Sequence, residues 1–290
     1  MPARIAEPRN VFTVDVEDYY QVEAFSGRIE RSRWKGFPSR VARNTDALLE
    51  LLAEKGIKGT FFVLGCVAEA QPDIVRRIHA SGHEIASHGY SHRMITKQTP
   101  EEFRQETLRS KAILEDITGM EVLGYRAATY SITEDTLWAL DVLAAAGFRY
   151  DSSIFPVVHD RYGIPGFCRR PCVIETEHGA LVEFPITTTR VLGRNLPIAG
   201  GGYFRLFPLA LSLWGLRRVN REGLPFTFYI HPWEIDPGQP RIDGIGAMTR
   251  FRHYVNLSRT QQRLAQLLQN FRFAPMVEVI EGLSLEGCIS

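Results

Sequence analysis

The sequence predicts an α/β fold built on a mostly parallel sheet, either open or closed into a barrel, and three observations predict it. Short apolar runs rich in β-branched and aromatic residues alternate with longer stretches of helical period, the pattern of repeated strand–helix units. The strand runs are apolar throughout, as expected of strands covered on both faces. The acids and histidines collect just past strand ends, where a βα-barrel carries its working residues.

The elements follow in order. Val11-Phe12-Thr13-Val14 is a buried-strand run that delivers Asp15, Glu17 and Asp18 at or beyond its end. Thr45 to Lys55 carries Leu48, Leu49, Leu51 and Leu52 at helical spacing and stops at Gly56, and Gly59 to Leu64 is the next buried strand. Pro72 to Ala80 reads as helix ending near Ser81-Gly82, and His83 to Ser87 as a short strand. A threonine cap at Thr99, proline at the first helical position and Glu102 at the third start a helix that runs to about Thr118-Gly119. Val122 to Arg126 then reads as strand, Glu134 to Ala146 as helix and Phe148 to Asp151 as strand. Further strands are expected at Leu181 to Pro185 and Phe226 to His231, with a helix from Ser258 to about Asn270 and a last apolar stretch at Met276 to Ile280. The spans Pro156 to Gly202 and Asp236 to Gly246 read as long loops.

Composition narrows the classes. With 44% hydrophobic and 23% charged residues the chain can bury a sizeable core. The 34 basic and 33 acidic residues are well mixed and leave a net charge of +1, so no basic stripe invites nucleic acid or an anionic membrane. No apolar run approaches the ~20 residues of a spanning helix. The polar opening lacks the apolar core of a signal peptide, and a cytoplasmic location is expected. Cys66, Cys168, Cys172 and Cys288 are too few and scattered for a disulfide scaffold and are expected as free thiols; the three-residue gap between Cys168 and Cys172 fits neither a redox pair nor a zinc knuckle.

Four histidines lie between His79 and His92, in two pairs four residues apart. Ser81-Gly82 breaks the helix between His79 and His83, so those rings diverge. His88 and His92, in IASHGYSHR, follow a strand and fit the start of a helical turn, where residues four apart share a face and two neutral imidazoles make half a zinc site. Taken alone the pair fits polar loop histidines equally, and Asp15-Val16-Glu17-Asp18 a solvated acidic turn. Together they match what a catalytic zinc needs, a third and commonly carboxylate ligand with an open position beside it. In an extended chain Asp15 and Glu17 face one side, so one can accept a proton while its neighbour binds the ion. Gly200-Gly201-Gly202 lacks the lysine and hydroxyl of a P-loop and reads as a flexible rim. Tyr130, Tyr203, Phe204 and Trp233 suit stacking on sugar faces or core packing, and Glu234 a further site acid or a plain loop residue.

Five ordered motifs, TVDVEDYY, SHGYSH, YRAATYS, YDSSIFP and FYIHPWE, run through about Val11 to Asp236, and on them the chain resembles the polysaccharide deacetylase family, the NodB-homology group of carbohydrate esterases. DVEDYYQVEAF, GGGYFRLFP and HPWEIDPGQPR are similar to the subgroup found with exosortase-linked exopolysaccharide clusters. The resemblance implies a distorted (β/α) barrel over residues 10–235 with a C-terminal extension, 236–290, packing on it. It matches Asp15 to the catalytic base, His88 and His92 to metal histidines, Arg126 to the arginine that positions the base, His231 to the general acid, and Asp151 to an acid implied to hold His231 in a useful tautomer. The family's metal aspartate follows the base immediately or two positions later; Val16, Glu17 and Asp18 stand here, so the third ligand is Glu17 or Asp18. Ala127, Ala128 and Thr129 follow Arg126 where the family often has proline, and the backbone amide near Tyr130 is implied as an oxyanion donor. The implied cofactor is a divalent metal ion, for which zinc is suited. The implied reaction removes N-acetyl groups from N-acetylhexosamine units of a bacterial exopolysaccharide or its lipid-linked precursor. The alternatives are a deacetylase or amidase acting on peptidoglycan or a small cyclic imide, and a non-catalytic glycan-binding module.

Overall fold

The computed structural model describes residues 8–288; residues 1–7, the polar opening read above, and 289–290 lie outside the described residues. In chain order the elements are β1 (Val11–Val16), α1 (Val41–Glu54), β2 (Thr60–Val63), α2 (Gly65–Ala70), α3 (Pro72–Ala80), β3 (Glu84–Ser87), α4 (Pro100–Thr118), β4 (Gly124–Tyr125), α5 (Trp138–Ala145) and β5 (Tyr150–Asp151). Two hairpin pairs follow, β6 (Cys172–Thr176) with β7 (Gly179–Glu183), and β8 (Thr188–Val191) with β9 (Arg194–Pro197). The chain ends with α6 (Gly201–Leu206), α7 (Leu209–Arg221), β10 (Thr227–Ile230), α8 (Ala247–Tyr254), α9 (Leu257–Asn270) and α10 (Met276–Glu281).

Eight strands form one curled sheet in the order β10-β1-β2-β3-β4-β5-β7-β6, parallel except for β6. It is a distorted (β/α) barrel, because no pairing joins β6 to β10. Instead residues 199–200 run along the free edge of β10, where Tyr229 N–H donates to Ala199 O at 2.8 Å and Gly200 bridges Tyr229. This corrects the flexible rim expected at Gly200-Gly201-Gly202. Gly200 sits at φ 137° so close to β10 that a Cβ would lie 1.9 Å from Tyr229 O, and only glycine permits that approach.

Strand alternation sorts β1 into two faces. Phe12, Val14 and Val16 join Leu48, Leu52, Phe61 and Val63 in the core between sheet and outer helices. Val11 turns inward with Phe62, Ala86 and Tyr150, and there Met276 and Val279 of α10 close the barrel floor. The last apolar stretch is therefore a helical plug, tied by Met276 N–H to Thr60 Oγ1 at 2.8 Å and Val277 N–H to Glu84 Oε2 at 3.2 Å.

Several expectations shift. The helix expected from Thr45 begins at Val41, because the Asp18 carboxylate accepts from the free amides of Arg40 (2.8 Å) and Val41 (3.2 Å), a cap supplied from outside the local sequence. The span read as loop from Pro156 to Gly202 holds both hairpins. The stretch 201–221, for which the pattern named no element, holds two helices. Their signal is broken by Pro208 and by Gly215, whose missing side chain admits Ile198. Cys172 and Cys288, expected as free thiols, form a disulfide; they are 116 residues apart and meet only because residues 286–288 lie along β6, with Val173 N–H to Glu286 O at 3.0 Å and Cys288 N–H to Val173 O at 2.9 Å. Cys66 and Cys168 are free.

Candidate metal and catalytic site

Register sets the height of each candidate. Val14 lies opposite Ile230, Val63 opposite Val16 and Ser87, and Tyr125 opposite Ser87 and Asp151. The next residues along these strands, Asp15, His231, His88 and Arg126, therefore emerge at the same rim of the barrel, at the C-terminal ends of the strands. Glu17 joins them through a tight turn in which its N–H donates to Asp15 O at 3.0 Å, not through continued extension of the strand.

Glu17, His88 and His92 are buried, and each offers a ligand atom within 4.8 Å of the other two. The shared helical turn expected for the histidines is absent. Left-handed backbone at Gly89 and at His92 (φ 52°) folds the loop back so that the rings lie 5.5 Å apart, and Arg31 clamps it by donating to the carbonyls of Ser91 and His92. His88 Nδ1 donates to Arg126 O at 2.8 Å, which fixes the tautomer and leaves Nε2 as the ligand atom. Trp233 Nε1 donates to Glu17 Oε1 at 3.1 Å. Glu17 Oε2 lies 2.8 Å from His92 Nε2, yet it makes no aligned hydrogen bond and neither does His92 Nδ1. A buried carboxylate oxygen left without a donor beside two imidazoles is the arrangement a divalent cation completes. Burial drives the His88 imidazolium down to about 4, keeping the ring neutral. Burial raises Glu17, but its histidine neighbours, His92 and His231 foremost, outweigh it and hold the carboxyl at about 2.

Asp18 does not share this set. Its Oδ2 caps α1 and its Oδ1 accepts from Tyr19 N–H at 3.0 Å, so the structure corrects its assignment as a metal ligand and leaves Glu17 as the acid beside the two histidines.

Asp15 and Arg126 are both buried and joined at 2.7 Å. Arg126 Nη1 also donates to Thr13 Oγ1 at 2.7 Å, Nε to Ser152 O and Nη2 to Ser152 Oγ, each at 3.0 Å, while the guanidinium lies 4.1 Å over Phe62. The Ala127–Thr129 segment is held without proline: Ala127 N–H donates to Ser153 Oγ at 2.7 Å, and Thr129 and Tyr130 are left-handed. The Tyr130 amide, implied as an oxyanion donor, is engaged with Ala127 O at 3.0 Å.

His231 faces the pair from β10, its Nε2 3.9 Å from Asp15 Oδ2 and 3.7 Å from Glu17 Oε1. Its orienting acid is Glu234, whose Oε1 accepts from Nδ1 at 2.7 Å, and Arg205 Nε donates to Glu234 Oε2 at 2.6 Å. Burial lowers the His231 imidazolium, but Glu17, Glu234 and Asp15 outweigh it and raise it to about 9. Asp151, expected to hold His231, does not touch it. It lies opposite Glu183 in the β5–β7 ladder and accepts from Ser153 Oγ at 2.6 Å; burial pushes both acids upward. The signal for Glu234 was present in the sequence as a capping pattern, His231 followed by proline and by glutamate at the third position, and the structure forms that box. Arg205, buried 29 residues before its partner, had no local signal.

Asp15, Glu17, His88, His92 and His231 line an open pocket of about 290 Å³, at the small end of ligand sites, walled by Tyr130, Tyr229 and Trp233 and by Thr249 and Arg252 of α8.

Residues 36–150 match the polysaccharide deacetylase family model, and 152–281 match a domain of unknown function, DUF3473. The first segment contains His88, His92 and Arg126; Asp15 and Glu17 lie before it. The chain is 36% identical over 98 residues to a peptidoglycan-N-acetylglucosamine deacetylase of Bacillus cereus, covering 33% of this chain and 36% of that protein. It is 30% identical over 102 residues to a chitooligosaccharide deacetylase of a Bradyrhizobium species, covering 35% and 44%. It thus spans less than half the length of these curated relatives. A Mycobacterium smegmatis protein described as a polysaccharide deacetylase superposes with a TM-score of 0.65 at 20% identity, over 98% of this chain and 93% of that one, and an allantoinase with 0.62 at 17%, over 97% and 91%. At such identities these two likenesses speak for the fold alone. The family model and the curled α/β sheet shared with these structures agree that residues 36–150 belong to a polysaccharide deacetylase domain of the NodB-homology type.

Proposed function

We propose that this chain is a metal-dependent N-deacetylase acting on N-acetylhexosamine units of a bacterial exopolysaccharide or its lipid-linked precursor. The observation that carries the reading is the buried Glu17–His88–His92 trio beside the Asp15–Arg126 pair, with His231 across the same pocket. The acetamide is supported by likeness to deacetylases of N-acetylated glycans, and the exopolysaccharide by the motifs DVEDYYQVEAF and HPWEIDPGQPR. In this reading residues 10–235 are the catalytic unit and 236–290 an extension that lends Thr249, Arg252 and His253 to the pocket wall.

Glu17, His88 and His92 would hold the ion, and zinc suits two imidazoles and a carboxylate with a position left open. Once bound, the ion supplies Lewis acidity toward the amide oxygen and a lowered pKa for water. Asp15 accepts the proton of the attacking water, while the Arg126 guanidinium, donating to its Oδ1, holds the carboxylate aimed. His231, protonated near neutral pH and oriented by Glu234, donates to the amide nitrogen as the C–N bond breaks, so acetate and a free amino sugar leave.

Acetate release by the metal-loaded chain, measured on N-acetylhexosamine oligomers, muropeptides and a small cyclic imide, tests the reading. Release is expected from the oligomers. Asp15→Asn is expected to keep one equivalent of metal and lose turnover, whereas His88→Ala loses both. A loaded chain that binds oligomers without releasing acetate is a glycan-binding module, and equal metal loss in the two variants removes Asp15 from the role of base.

A further inference from the structure

Cys168, Cys172 and Cys288 meet at the edge strand β6, and none of them lines the pocket described above. Cys172 is bonded to Cys288, yet Cys168 Sγ lies only 3.1 Å from Cys172 Sγ, and the three sulfurs lie within 4.8 Å of one another. One sulfur thus has two partners in reach, one four residues away and one 116 residues away.

We propose that this cluster is a thiol–disulfide exchange site at which Cys168 displaces Cys288 from Cys172. The Cys168 thiolate attacks Cys172 Sγ, the Cys168–Cys172 bond forms, the Cys172–Cys288 bond breaks, and Cys288 leaves as a thiolate that takes up the proton Cys168 gave to solvent. The exchange is an isomerisation and consumes no oxidant; the first disulfide is made by a disulfide oxidant such as glutathione disulfide. Cys168 is part-exposed, so solvent base reaches its thiol. Burial raises that thiol, Arg170 opposes the rise, and the reaction accelerates with pH as the thiolate fraction grows.

The two isomers hold the chain differently. The Cys172–Cys288 bond staples the C-terminal segment to β6. After exchange, residues 286–288 keep two backbone hydrogen bonds to Val173 and the exposed Arg170–Glu286 ion pair. A cross-link spanning 116 residues is exchanged for one spanning four, so the unfolded chain is constrained far less.

The test uses the full chain, purified without reductant, oxidised with glutathione disulfide and incubated at pH 8.5. Samples are acid-quenched over time, alkylated, unfolded and digested with trypsin. Arg169 separates Cys168 from Cys172, and no Lys or Arg follows Arg272, so each cysteine travels on its own peptide. The Cys168–Cys172 link is expected to grow at the expense of Cys172–Cys288 to a constant ratio, and to stay frozen in acid. Cys168→Ser is expected to show Cys172–Cys288 alone, and Cys288→Ser the Cys168–Cys172 link, with circular dichroism confirming that both fold. Persistence of Cys172–Cys288 alone, with Cys168 fully alkylated at every time, overturns the proposal. So do three thiols that resist oxidation, whether or not each chain carries one equivalent of zinc at them; zinc there makes the cluster a metal site.

Discussion

Replacing Arg126 by methionine tests the electrostatics of the barrel interior directly. Arg126 is fully enclosed and makes four polar contacts, to Asp15, Thr13 and twice to Ser152, as well as stacking on Phe62. Methionine fills much of the same space but strands the Asp15 carboxylate, 2% exposed, without its cation. Removing one partner of a buried pair costs about 3–5 kcal/mol, whereas neutralising both is far milder because no lone charge remains. Arg126→Met is therefore expected to lose about 3–5 kcal/mol out of a total on the order of 5–15 kcal/mol. Adding Asp15→Asn is expected to restore part of that loss, with a coupling of about 1–3 kcal/mol. Guanidinium unfolding followed by circular dichroism, with chelator present so that ion binding does not contribute, gives all four corners of the cycle. A loss under about 1 kcal/mol for Arg126→Met, or singles that merely add in the double variant, would refute the argument that this pair is a desolvated ion pair.

Two further outcomes are expected. Glu234→Gln keeps the shape beside His231 but removes the charge that orients it, so kcat is expected to fall tenfold or more, toward the roughly 10²–10⁴-fold loss of His231→Ala; steady-state kinetics with unchanged turnover in Glu234→Gln would show that Glu234 only shapes the loop. His83 is buried against Phe61 with Nδ1 accepting from Gly59 N–H at 3.1 Å, and burial, aided by Lys58, lowers it from 6.5 to about 4. The unfolded chain takes up that proton first, so this contribution is complete above about pH 6.5 and is lost as pH falls toward 4, by up to about 3 kcal/mol. His83→Gln is expected to flatten the fall of Tm over that window, and parallel curves for variant and wild type would refute the assignment.

What could be read from the sequence was local. The helices at Pro72–Ala80 and Pro100–Thr118 were legible to the residue because each has its start signal within its own first turn. The α1 start was not, since its cap is Asp18, more than twenty residues upstream. Among the strands, β1 and β2 announced themselves by unbroken apolar runs. β4 and β5 proved shorter than their apolar patterns, two residues each, where Gly124 yields its side-chain space to Tyr150 and a Cβ would lie 2.0 Å from that ring. The β6 and β8–β9 strands are partly exposed and carry Arg, Glu and Asn, so no apolar period marked them.

The same distinction governs the site. Residue types and strand ends pointed to Asp15, Glu17, His88 and His92, the family resemblance added Arg126 and His231, and a parallel sheet delivers the residues after its strands to one rim. Choosing between Glu17 and Asp18 required the turn after β1, and that turn is set by what lies on either side of it. Trp233 donates to Glu17 from the loop after β10, while the bare amides at the start of α1 capture Asp18. Neither partner is near in sequence, and each satisfies a buried polar group that would otherwise be orphaned. Two adjacent acids thereby acquire opposite duties, one left with an open lone pair for a cation and the other consumed in fixing the helix that packs behind it. The assignment of His231 to Glu234 instead of Asp151 follows the same rule: the acid three residues away is placed by the turn itself, whereas Asp151 is already committed to the β5–β7 ladder beside Glu183.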